Sequence, residues 1–98
     1  MNSQLWNEMP LIEQMSNIYG EIERFVREKS TTSYNLANKL LDFTINDSKH
    51  NLHIEEFIYA KIELEEYANE TNSDFKKSRE MSLLSYWRDW VYYFVKWE

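Results

Sequence analysis

His50 and His53 stand three residues apart with Glu55 and Glu56 close behind them, in "HNLHIEE". If a helix begins here, two imidazoles and a carboxylate such as Glu56 gather around a zinc-sized cation. The spacing permits such a site without specifying it. The His-Glu-x-x-His arrangement of helical metalloproteases is missing, as are the Glu-x-x-His pairs on two helices that a carboxylate-bridged di-iron bundle needs. Two solvated histidines beside a loop are the plainer reading.

A second cluster, Glu55, Glu56, Glu63, Glu65, Glu66 and Glu70, invites comparison with helical nucleotide pyrophosphatases, where carboxylates on facing helices hold magnesium beside a triphosphate. The Glu-Glu-x-x-Glu and Glu-x-x-Asp pair of that chemistry does not occur, and a solvated acidic face offset by Lys61, Lys76, Lys77 and Arg79 fits better. No arginine is followed four to six residues later by histidine, which disfavours helical ribonuclease chemistry of that kind. One glycine cannot build a phosphate-binding loop, a dinucleotide fingerprint or a nucleophile elbow. Without cysteine there is no thiol catalysis, disulfide or cysteine-bound metal.

The remaining feature with binding chemistry is "YWRDWVYYFVKWE", which places seven aromatic side chains in residues 86–98. Leu83, Leu84, Trp87, Trp90, Val91 and Phe94 follow the i, i+3, i+4, i+7 spacing of a buried helical stripe. At about 100° per residue, Tyr86, Asp89 and Tyr93 then share a different face. These three, with Trp97, are the candidate partner-binding residues, joined by Glu63 and Glu66 of the acidic helix before them. A membrane role fits poorly, because Asp89 and Glu98 offset Arg88 and Lys96 where an interfacial helix wants a basic polar face.

The elements that must position these residues are helical. Gly20 and Pro10 are the only residues of their kinds, which leaves little turn punctuation for sheets. Leu11, Met15, Ile18, Ile22 and Phe25 form an amphipathic seam, with Pro10 in its first turn and Leu5 and Trp6 folding back as a staple. Gly20, inside that helix, predicts close approach of a neighbour. Tyr34, Ala37, Leu40, Leu41 and Thr44 mark a second helix. A turn through Asn46, Asp47, Ser48 and Asn51 leads to a third carrying Ile54, Phe57, Ile58, Leu64 and Ala68 on one side. "NETNSDFKKS" reads as the longest polar connection.

A formal charge of −6, with 17 acids against 11 bases, argues against nucleic acid as a partner and suits solubility. No run approaches the ~18 apolar residues of a membrane span, and no basic segment precedes an apolar one at the amino terminus, so the cytoplasm is the expected compartment.

"PLIEQMSNIYGEIERF", "NLANKLLDFTINDSKHNLHIEEF" and the later "YW" segment together resemble a family of small prokaryotic helical proteins with an Ala-x-x-Leu-Leu-Asp-x-Thr-Ile-x-Asp middle motif, matched by Ala37, Leu40, Leu41, Asp42, Thr44, Ile45 and Asp47. The resemblance implies a compact all-helical protein and no catalytic residues. Tyr59, Ala60 and Lys61 stand where the family shows arginines. Asp42, Thr44 and Asp47 read as caps that order helix ends.

The sequence therefore predicts one all-α domain over residues 1–98, a compact up-and-down four-helix bundle with helices over about 10–29, 33–46, 52–69 and 78–97, the last packed on the first and third. The expected function is noncatalytic: a protein-binding or regulatory module, self-association included, without a cofactor. The competing reading is a small metal-dependent nucleotide hydrolase using Glu63, Glu66 and His53.

Overall fold

The computed structural model describes residues 2–46 and 53–97, and the side chains of all of these except 94–97. Five helices occupy them: α1 (Ser3–Asn7), α2 (Leu11–Glu28), α3 (Thr31–Ile45), α4 (Ile54–Asn69) and α5 (Ser73–Trp97). No strand occurs among the described residues. α2 packs on both α3 and α5, α4 packs on the same two helices, and α1 lies against α3.

Helix ends follow local hydrogen-bonding chemistry. Asn2 Oδ1 accepts from the Leu5 amide at 2.9 Å, and Ser30 Oγ accepts from Ser33 at 3.1 Å. α2 ends where Lys29 turns left-handed, at φ 56° and ψ 38°. Pro10 caps α2 from outside with φ −59° and ψ 150°, so that helix begins at Leu11.

α5 begins at Ser73 rather than near Ser78, because Asn72 Oδ1 accepts from the amides of Asp74 and Phe75 at 3.0 and 3.1 Å. Glu70 Oε1 accepts from the Asn72 amide at 3.1 Å and helps order the turn before that cap. This bond, with help from the Arg79 guanidinium, holds the Glu70 carboxyl below the usual glutamate value. The expected long polar connection shrinks accordingly to residues 70–72. The predicted turn residues Asp47, Ser48 and Asn51 lie outside the described residues.

The core keeps most of the predicted apolar seams and adds Trp6, Ala60 and Tyr67. Met15, Ile18, Ile22, Leu41, Phe57, Leu64 and Trp87 are fully buried, while Leu84, Trp90 and Val91 pack against them. Trp6 is no staple over the first turn of α2 but a core residue, fully buried. Its Nε1 donates to Thr44 Oγ1 at 2.9 Å, and its carbonyl accepts from Gln14 Nε2 at 2.7 Å. A five-residue helix cannot sustain itself in water, so α1 owes its shape to this docking.

Four expectations are corrected by packing. Thr44 does not cap α3; it faces inward, and its hydroxyl donates to the Leu40 carbonyl at 2.9 Å. Asp42 accepts a charge-assisted hydrogen bond from Lys61, tying α3 to α4. No helix approaches Gly20: a Cβ built there meets nothing within 4 Å, and the residue is exposed. Ile58, placed by periodicity on the apolar side of α4, is 42% exposed.

Because Gly20 has no crowded neighbour and no positive φ, Gly20→Ala is expected to stabilise the chain by about 0.5–1 kcal/mol in urea denaturation; a loss would show that the glycine is needed. Trp6 and Trp87 are both fully buried, yet among the described residues Trp87 Nε1 finds no acceptor. Trp6→Phe removes a met hydrogen bond and Trp87→Phe an unmet donor, so the first should cost about 2 kcal/mol more than the second. Equal losses would contradict the assignment.

Candidate functional site

α4 and α5 are joined by only three residues, which makes them antiparallel neighbours and aligns one face of each along a shared groove. On α4, Glu56, Tyr59 and Glu63 recur at helical spacing; on α5, Ser82, Tyr86 and Tyr93 do the same. His53, Glu56, Tyr86, Trp90 and Tyr93 line a depression of about 380 Å³. Tyr86 also borders a second one of about 250 Å³, bounded by Tyr59, Glu63 and Ser82. Tyr86 is thus the shared wall of a continuous aromatic strip.

The rings hold one another in place. Trp90 sits 5.0 Å from Phe57, 5.2 Å from Trp87 and 5.6 Å from Tyr86 between ring centroids, and Tyr86 meets Tyr59 nearly edge-on at 6.0 Å. Such contacts add stabilisation beyond burial alone. They fix a half-buried Tyr86 between a core tryptophan floor and an exposed tyrosine rim.

Negative charge collects on the α4 wall. The Glu63 carboxylate raises the Tyr59 phenol above the usual tyrosine value, by its charge first and then by a hydrogen bond. Burial raises Tyr86, assisted by the charge of Glu56 and the proximity of Tyr59 and Glu63. His53 Nδ1 lies 3.5 Å from Glu56 Oε2. Among the described residues no lysine or arginine lines either depression.

The candidate residues from sequence divide accordingly. Tyr86, Tyr93 and Glu63 come together in the groove; Glu56 and His53, first considered for metal, join them there. Asp89 is exposed beside Arg88, with which it pairs at 3.7 Å. The Trp97 side chain and His50 lie outside the described residues. Glu66 faces away: Arg79 bridges it at 3.0 Å and Glu70 at 3.2 Å. Glu63 and Glu66 therefore engage different partners, which undercuts their use as one magnesium pair. Among the described residues no three His, Asp or Glu side chains converge as a metal site, and no helix is long and apolar enough to cross a membrane.

Sequence reasoning missed Tyr59 and the groove role of Trp90. The signal for Tyr59 was its i, i+3 and i, i+4 relation to Glu56 and Glu63; Trp90 was assigned wholly to the core, although it serves both core and groove.

The Tyr59 environment predicts that Glu63→Gln brings one tyrosine ionisation down toward the ordinary value of 10.0 in an ultraviolet pH titration. A titration curve unchanged by the substitution would mean that Glu63 does not face Tyr59.

Comparison with known proteins assigns no role to these residues: no family model, curated protein or solved structure matches the chain.

Proposed function

We propose that the chain is a noncatalytic binding module that seats a basic segment of a partner protein in the α4 and α5 groove. The observation that carries this reading is an aromatic strip, Tyr59, Tyr86, Trp90 and Tyr93, walled by Glu56 and Glu63 with no lysine or arginine among the described lining side chains. Aromatic faces attract lysine and arginine, and the carboxylates add charge complementarity. Tyrosines partly fixed by neighbouring rings lose little conformational freedom on binding.

In this reading α2 to α5 form an up-and-down bundle, with α1 clasping one side, and the α4 and α5 hairpin is the recognition face. A second copy fits the groove less well than a basic partner, since two chains of charge −6 repel.

The test is calorimetric titration of the full chain with a short peptide of lysines, arginines and leucines, beside a glutamate-substituted peptide of equal length. The basic peptide is expected to bind, more weakly at high salt, and Glu56→Lys with Glu63→Lys is expected to lower its affinity at least about tenfold. Equal binding of both peptides, binding of neither, or a dimer that buries the groove in solution would overturn the proposal.

A further inference from the structure

The opposite end of the α4 and α5 hairpin has the reverse character. There the end of α2, the end of α4 and the first turns of α5 surround a cleft of about 550 Å³ with Phe25 and Tyr67 in its wall and Lys29, Lys76 and Lys77 around them. The volume falls in the range of small-molecule sites.

Charge sorting distinguishes this cleft from ordinary surface. Arg24, Arg27, Lys61, Arg79 and Arg88 each lie within ion-pair distance of a carboxylate. Among the described residues four lysines show no such partner, although acids outnumber bases 17 to 11: Lys39, which stands over the Phe43 ring, and Lys29, Lys76 and Lys77, which all line this cleft. Three unpaired ammonium groups converging on one concavity of an acidic chain mark a place prepared for negative charge. The sequence reading, which had Lys76 and Lys77 neutralise the acidic helix, is corrected here: only Arg79 of that run bridges to α4.

Backbone conformation adds an independent sign. Lys29 is the one described non-glycine residue with positive φ, in a helix-ending position that glycine occupies without steric cost. A strained residue whose side chain lines a cleft points toward function. The start of α5 is not itself the attraction, because Asn72 already accepts from the Asp74 and Phe75 amides.

The walls supply the other half of a ligand. Phe25 and Tyr67 meet edge to face at 5.7 Å, and Lys76 Nζ stands 5.1 Å from the Tyr67 ring centroid, so aromatic surface and cation adjoin. Glu80, the one carboxylate lining the cleft, lies 3.5 Å from the Tyr67 hydroxyl, which donates to it. We infer that this cleft binds a small ring-bearing phosphate ester, mononucleotide in size, its phosphate held by Lys29, Lys76 and Lys77 and its ring against Phe25 and Tyr67.

Calorimetry of the full chain with adenosine monophosphate, inorganic phosphate and adenosine tests this. The nucleotide is expected to bind at one saturable site, at least about tenfold tighter than either half. Lys76→Ala with Lys77→Ala should weaken it at least about tenfold. Lys29→Gly should weaken it too while raising the melting temperature, which keeps the test readable if the double variant fails to fold. No saturable binding of the nucleotide, equal binding of inorganic phosphate, or affinity unchanged in folded Lys29→Gly would overturn the inference.

Discussion

The buried indole of Trp6 is the constraint around which the fold closes. One side chain fills space between α2 and α3, bonds Thr44 through its nitrogen, and through its own carbonyl satisfies the fully buried amide of Gln14. Each of these polar groups would be expensive inside a core if left alone, and each is met, the Trp6 nitrogen by a residue 38 positions away. The spacing between α2 and α3 is set there. Because α2 also packs on α5, and α3 on α4, that spacing is passed to the pair of helices that carries the groove.

Charge is distributed with similar economy. Lys61 joins α4 to α3, and Arg79 joins α5 to two glutamates of α4 and its following turn. These exposed pairs contribute little stability individually. They occupy Lys61 and Arg79, which leaves described carboxylates over the aromatic strip and lysines at the far cleft. A chain with a single net sign thus carries two concavities whose described lining differs in charge.

Much of this was legible beforehand, for identifiable reasons. The seam of α2 repeats for five turns, and the Leu83 to Val91 stripe recurs at fixed spacing, so both helices and the separate face of Tyr86 and Tyr93 follow from periodicity. α1 did not, because five residues are too few to show a period and Trp6 beside Leu5 looks like a local staple. Thr44 reads as a cap because its hydroxyl suits one; only the arrival of Trp6 from 38 positions away explains its burial. The early start of α5 was encoded in Asn72, yet the polar run after it hides a helix from hydrophobic patterning. The groove needs α4 and α5 brought side by side, and no single-helix pattern contains that register.

α5 is the longest of the five helices. Its 25 residues span about 37 Å at 1.5 Å each, nearly the molecule's longest dimension of 38 Å. The lysines of its opening turns and the tyrosines farther along are mounted on one stiff spar, so a small tilt about its midpoint displaces both groups together, in opposite directions.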